Sequence, residues 1–242
     1  MIDSTKRSLS KAISWKFLGF LVLSVVTYIA TGSLKETGLI AIIYHFLMLI
    51  LFMVHERAWN RVKWGKTKGL FIQMTGMSGA GKSTLSETTA RMLQKRGFKV
   101  EILDGDEYRK GLCADLGFSK EDRNTNIRRL GFVSKVLARN NVISIIAAIN
   151  PYEDVRQEIN KYGNVKTVFI NCDIEELKRR DTKGLYKRAM LPDDHPKKVY
   201  NFTGISDRYD VPHKSDLVID THLETVEQST KKLEKFIIDN IL

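Results

Sequence analysis

The residues most able to do chemistry stand at Gly76-Met77-Ser78-Gly79-Ala80-Gly81-Lys82-Ser83, directly after the apolar run Leu70–Thr75 and before a run of helix formers. This is G-x-x-x-x-G-K-[ST] in the strand–loop–helix context that the pattern requires. Glycines let the backbone turn so that several N–H groups point into one concavity, and the following helix adds the positive end of its dipole. Lys82 is placed to reach the β- and γ-phosphates of a nucleoside triphosphate, and the Ser83 hydroxyl to join a Mg²⁺ shell. The expected ATP-binding residues are therefore Gly76, Met77, Ser78, Gly79, Ala80, Gly81, Lys82, Ser83 and Thr84. A regulatory GTPase would carry a guanine-reading Asn-Lys-x-Asp, and the sequence has none. A small-molecule kinase fits better.

An acceptor side follows. The second strand-like run ends in Asp104-Gly105-Asp106, so a carboxylate emerges at a strand's C-terminal end, where open α/β sheets bind ligands. Such a carboxylate can take the proton of an acceptor hydroxyl or help hold Mg²⁺. Ser119 and Asp122 have the spacing of a capping box opening a helix, and Arg123 and Asn126 then share one face. Four arginines between residues 109 and 129, beside a phosphate loop, point to a second anionic ligand.

The elements that must position these groups alternate. Apolar runs at Leu70–Thr75, Val100–Leu103, Val142–Ile149, Val165–Asn171 and Asp216–Ile219 predict strands. Amphipathic stretches at Lys82–Arg96, Arg123–Asn140, Pro151–Tyr162, Ile174–Arg180 and Glu224–Ile241 predict helices. Continuous apolar strands separated by helices imply an α/β fold, a parallel sheet covered on both faces. With 242 residues, 43% hydrophobic and 28% charged, the chain is globular in composition. Its two cysteines, Cys113 and Cys172, are too few for a disulfide framework and suit a reducing compartment.

The chain divides near residue 68. Phe17 to Ser33 and Thr37 to Val54 hold no charged side chain and no polar face at helical spacing. They predict two transmembrane helices, at about 17–33 and 37–54, joined by the polar link Leu34-Lys35-Glu36. A buried hairpin of a soluble domain and a cleaved signal peptide are the alternatives. Residues 1–68 carry ten Lys and Arg against three Asp and Glu, so most of the net charge of +11 flanks the apolar runs. A broad nucleic-acid-binding face is thereby excluded. Lys6, Arg7, Lys11 and Lys16 precede the first run, and Arg57, Arg61, Lys63, Lys66 and Lys68 follow the second. The positive-inside rule puts both termini in the cytoplasm, on a multi-pass cytoplasmic-membrane protein whose residues 17–54 meet lipid. Trp15, Trp59 and Trp64 sit where interfacial aromatics belong, and His45 in the second run is expected neutral against its neighbour helix. The expected domains are a membrane hairpin over 1–68 and a P-loop domain over 69–242.

Further motifs carry a family resemblance. Gly76–Ser83, Asp104-Gly105-Asp106, Gly117-Phe118-Ser119 with Arg123-x-x-Asn126-x-Arg128-Arg129, Pro151-Tyr152, Asp181-x-Lys183-Gly184-Leu185-Tyr186 and Asn201-Phe202-Thr203-Gly204-Ile205 run in that order. Together they resemble adenylylsulfate (APS) kinases across nearly all of residues 69–242. The resemblance implies transfer of the γ-phosphoryl group of ATP to the 3′-hydroxyl of adenosine 5′-phosphosulfate, with Mg²⁺, giving 3′-phosphoadenosine 5′-phosphosulfate and ADP. It implies Asp106 and Lys82 as catalytic residues and Ser83 and Asp106 as the metal side. Arg109, Arg123 and Asn126 would grip the phosphosulfate, Phe118 and Phe202 would stack on adenine, and Ile149 and Asn150 would join the acceptor site. Lys183 belongs to a lid that closes over both substrates, and a homodimer is implied.

Three departures stand out. Asn150 replaces a serine regarded in such kinases as a phosphoenzyme intermediate, so direct in-line transfer is expected. The lid from Arg188 to Tyr200 is about five residues longer than the usual pattern. Asn201 stands where glycine often precedes the phenylalanine. The first 68 residues resemble a small bacterial family of uncharacterised two-span membrane proteins. Two other functions remain open at this point: a P-loop kinase for another acceptor, and a nucleotide-responsive membrane scaffold without catalysis.

Overall fold

The computed structural model describes residues 5–61, 68–181 and 183–241. The chain forms two compact units, residues 1–64 and 65–242, and each is described by itself.

The first unit is a helical hairpin of α1 (Thr5–Thr31) and α2 (Leu34–Arg61). The expected link Leu34-Lys35-Glu36 is not a loop but the first turn of α2. Gly32, at φ +65°, ends α1, and the Ser33 hydroxyl accepts from the Glu36 N–H at 3.4 Å, so two residues suffice for the turn. Phe20 stacks on His45 at 5.5 Å, joining the helices, and Thr37 and Ala41 are buried. Most other apolar side chains stay exposed, Ile29 at 79% and Phe46 at 64%, because the helices are apolar all round and a pair of helices buries only the faces that meet. The Thr27 and Thr31 hydroxyls donate to carbonyls one turn back, which removes their donors from an apolar surface. Lys35–Val54 is long and apolar enough to cross a membrane, with mean hydropathy 2.4 over 20 residues. Trp15–Thr31 is shorter, so the first expected span falls below that length. Lys63, Trp64 and Lys66 lie outside the described residues.

The second unit is built on a parallel sheet of β1 (Leu70–Thr75), β2 (Val100–Asp104), β3 (Ile143–Ala147), β4 (Val165–Asn171) and β5 (Leu217–Asp220), in the order β2-β3-β1-β4-β5. β1 is central and wholly buried, pairing Ile72 with Ile145 of β3 and with Lys166 of β4. Its continuous apolar run has this physical origin: both faces are covered. On one face, α3 (Lys82–Lys95) and α9 (Val226–Ile241) send Leu85, Leu93, Leu233 and Ile237 against Ile72, Met74 and Ile145. On the other, α5 (Lys120–Arg139) and α6 (Glu153–Asn160) bring Ile127, Leu130, Val155 and Ile159 against Phe71 and Ile146. Each such side chain contributes roughly 1.5–3 kcal/mol on leaving water. The helix after β1 and the helices beside β3 thus cover opposite faces. A crevice opens between the C-terminal ends of β1 and β3, as such a reversal demands.

Three short or early helical segments differ from the sequence expectation: α4 (Gly105–Tyr108), α8 (Leu185–Ala189) and the start of α5. α4 and α8 are single turns without an apolar period to announce them, whereas α7 (Ile174–Arg180) has the expected bounds. α5 starts at Lys120 rather than Arg123, because the Ser119 hydroxyl accepts the Asp122 N–H at 3.1 Å.

At the entrance to β1, a methyl group on Gly69 would meet the Ala138 carbonyl oxygen at 2.0 Å. Gly69→Ala should therefore destabilise the kinase unit by about 1–3 kcal/mol, read as a lower denaturant midpoint with an unchanged m-value.

Candidate active site

The phosphate loop turns at Gly79 (φ +76°) and Gly81 (φ +99°), conformations that suit residues without a Cβ. Gly81 is the N-cap of α3, and no side chain caps that helix. The first N–H groups of α3 are thus left for an anion. Gly76 is held by its N–H to the Ile149 carbonyl at 3.2 Å, and a Cβ there would lie 2.5 Å from the Ile170 carbonyl oxygen. The loop is tied from outside by the Tyr186 hydroxyl, which donates to the Ser78 carbonyl at 2.9 Å, and by the Thr221 hydroxyl, which donates to the Ala80 carbonyl at 2.9 Å.

Lys82 is buried, and its ammonium donates to the Gly76 and Met77 carbonyls at 2.8 and 2.7 Å. Burial draws its pKa down to about 8, against a weaker opposing pull from Asp106. A polyphosphate is the ligand that would restore the charge.

Across the cleft, Asp104 does more than the sequence suggested. One carboxylate oxygen caps α4, accepting from the Asp106 and Glu107 N–H groups, and the other accepts the Ser83 hydroxyl at 2.8 Å. Asp104, rather than Asp106, is the carboxylate hydrogen-bonded to Ser83. Asp106 is exposed and accepts from Lys183 at 2.7 Å, which raises the Lys183 pKa. Arg109 donates to the Gly117 carbonyl at 2.6 Å, and Arg123 to the Phe118 and Asn201 carbonyls at 3.1 and 2.6 Å. Burial and the neighbouring Arg123 lower the Arg109 pKa, the mark of positive charges gathered ahead of an anion.

The crevice has a volume of about 600 Å³. Of the expected residues, Ser78, Gly79, Gly81, Lys82, Ser83, Thr84, Asp106, Arg109, Phe118, Arg123, Asn126, Ile149, Asn150, Lys183 and Phe202 line it. Gly76, Met77 and Ala80 do not line it and serve as the loop's frame. The two phenylalanines differ: Phe118 is 58% exposed beneath the Arg109 guanidinium at 4.6 Å, whereas Phe202 is nearly buried, edge-on to Tyr186 at 4.9 Å. Residues unassigned from sequence also line the cleft, among them Arg188, Tyr200 and Thr203. The long segment after α8 folds on itself. The Val199 N–H donates to the Arg188 carbonyl, Lys198 to the Leu191 carbonyl, and the Tyr200 hydroxyl to the Asp193 carbonyl.

A parallel sheet with a phosphate loop at the end of its central strand, facing a carboxylate and paired arginines, defines a P-loop phosphotransferase. Residues 68–220 match the adenylylsulphate kinase family, and residues 9–60 match a family of predicted membrane proteins (DUF2061). The adenylyl-sulfate kinase of Picosynechococcus sp. is 46% identical over 169 residues, 69% of this chain and 93% of that protein. That of Halothermothrix orenii is 42% identical over 171 residues, 70% and 90% of the two chains. The structure of the Mycobacterium tuberculosis APS kinase CysC in complex with AMPPNP and APS superposes with a TM-score of 0.66 at 31% identity, covering 72% of this chain and 99% of that one. The chain belongs to the adenylylsulphate kinase family.

With the Lys82 pKa at about 8 in the free protein, ATP affinity should be level up to about pH 8. Above it, affinity should fall by up to about tenfold per pH unit, because the neutral amine must first regain a proton. Titration with a fluorescent ATP analogue checks this, and Lys82→Met should bind weakly without the break near pH 8.

Proposed function

We propose that this protein is a membrane-held adenylylsulfate kinase that passes the γ-phosphoryl group of ATP directly to the 3′-hydroxyl of adenosine 5′-phosphosulfate. The observation that carries the reading is one cleft holding a phosphate loop on one wall and Asp106, Arg109 and Arg123 on the other. The N–H groups of Gly79, Gly81 and Ser83 and the Lys82 ammonium hold the β- and γ-phosphates. Asp106 orients the acceptor hydroxyl and takes its proton as the bond to phosphorus forms. Arg109, Arg123 and Asn126 hold the phosphosulfate, and Phe118 and Phe202 offer ring faces to the acceptor's adenine. Lys183 leaves Asp106 for the phosphates when both substrates are in place, so the lid that carries it excludes water at that moment. Asn150 offers no hydroxyl to phosphorylate, which favours one displacement over two.

The donor set suits Mg²⁺. The Ser83 hydroxyl and Asp104 carboxylate are already in contact, Asp106 is near, and Mg²⁺ takes one or two carboxylates together with substrate phosphates and water. When bound, the ion would offset the negative charge of the triphosphate. Ser83 and Asp104 would hold it directly or through water, with Asp106 on the acceptor side.

The hairpin crosses the cytoplasmic membrane twice in this proposal, with the turn at Gly32-Ser33 outside and the kinase unit in the cytoplasm. Its support is the apolar, outward-facing surface of α1 and α2 and the basic residues at their outer ends. Self-association as a homodimer is part of the same proposal and rests on the family resemblance.

Asp106→Asn should lower kcat about 10²- to 10⁴-fold while ATP binding stays within a few-fold of wild type, measured by coupled ADP release and by nucleotide titration. ADP release that is independent of adenosine 5′-phosphosulfate would defeat the assignment. For the topology, Ser33→Cys in the full chain should react with a membrane-impermeant maleimide from the outer face of intact cells. Labelling only after lysis would reverse the orientation.

A further inference from the structure

The turn that follows Phe202 is built around Asp207, a carboxylate that does not itself line the cleft. Its main chain closes the turn: the Asp207 N–H donates to the Phe202 carbonyl at 3.1 Å, and its carbonyl accepts the Gly204 N–H at 2.8 Å. The root of the side chain is thereby fixed. Oδ1 accepts the Arg208 N–H at 2.8 Å, and Oδ2 accepts the Tyr152 hydroxyl at 2.7 Å. Tyr152 is buried, and burial together with its bond to Asp207 pushes its pKa well above the usual phenol range. The proton stays on Tyr152, and the carboxylate is the acceptor.

The same Oδ2 lies 3.7 Å from Arg123 Nε, between side chains only 23% and 10% exposed. At that distance the attraction is one of charge rather than a hydrogen bond, and burial strengthens it. Arg123 uses Nε on the Phe118 carbonyl and Nη2 on the Asn201 carbonyl, and among the described residues Nη1 has no acceptor. Main-chain carbonyls offset no net charge. Arg109 stands beside the same Phe118 ring, 4.6 Å from its centre against 5.5 Å for Arg123, so two like charges share the site. Among the described residues, Asp207 is the carboxylate that pairs with Arg123. It offsets that repulsion without occupying Nη1.

We infer that Asp207 is a positioning residue: its carboxylate, oriented by the Tyr152 hydroxyl, holds the Arg123 guanidinium in place for the anionic group of the acceptor. This rests on the reading of adenosine 5′-phosphosulfate as the acceptor and of Arg123 as part of its grip. A purely structural part for Asp207, bracing the turn after Phe202, is the competing account, and it predicts a loss that does not depend on Arg123.

The test is a double-mutant cycle on binding, read by calorimetry on the full-length protein in detergent with a non-hydrolysable ATP analogue in the phosphate loop. Asp207→Asn keeps an oxygen for Tyr152 and removes the charge. It should weaken binding of adenosine 5′-phosphosulfate about tenfold and leave affinity for the ATP analogue within about twofold. In an Arg123→Gln background the same change should cost no more than about twofold, because the group it acts through is gone. Arg123→Lys, whose ammonium cannot span both carbonyls, replaces the glutamine variant if binding becomes too weak to read. Tyr152→Phe should weaken acceptor binding in the same direction by about threefold, and it serves if Asp207→Asn melts early. Unchanged acceptor binding in Asp207→Asn and Tyr152→Phe, or an equal loss with and without Arg123, overturns the inference alone. Wild type that binds the ATP analogue but not adenosine 5′-phosphosulfate overturns the functional reading and this inference with it.

Discussion

The rest of the site depends on an ammonium group held in a buried loop with backbone carbonyls as its hydrogen-bond partners. Lys82 sits against the Gly76 and Met77 carbonyls, and burial draws down its pKa. A charge so placed is tolerable only where a multiply charged ligand arrives to complete it. The features around it serve that end. Gly79 and Gly81 let the loop close, the uncapped start of α3 leaves N–H groups free, and the fully buried β1 fixes where the loop begins. The position of β1 between β3 and β4 then brings Asp104 and Asp106, from the end of β2, to the same crevice.

The sheet was largely legible because its inner strands β1 and β3 are buried at every position and so read as nearly unbroken apolar runs. β1, β4 and α7 have the bounds that the pattern implies. Local capping blurred other edges: Ser119 starts α5 three residues early, and Ser33 starts α2 within what reads as a polar link. α4 escaped notice because it is a single turn organised by the Asp104 side chain rather than by an apolar period.

The site divides along the same line. The phosphate loop could be read because its function lies in a contiguous segment with one backbone purpose. What could not be read joins distant residues. Ser83 meets Asp104 across 21 positions, Tyr186 ties a lid turn to Ser78 across 108, and Asn150 donates to Gln73 across 77. No spacing rule encodes such pairs, since only the packed sheet brings them together. The unequal exposure of Phe118 and Phe202 belongs here too: Tyr186 packs edge-on against the buried Phe202, whereas Phe118 lies beside two guanidinium groups and stays exposed.

The central claim is a single displacement, from a triphosphate in the loop to a hydroxyl beside Asp106, with no stop on the protein. Stereochemistry at phosphorus tests it most directly, because each in-line transfer inverts the configuration. With ATP made chiral at the γ-phosphorus by oxygen isotopes, the phosphate on the 3′ position of the product should show inversion. Retention would mean two transfers and a phosphorylated protein intermediate, and would contradict the direct path.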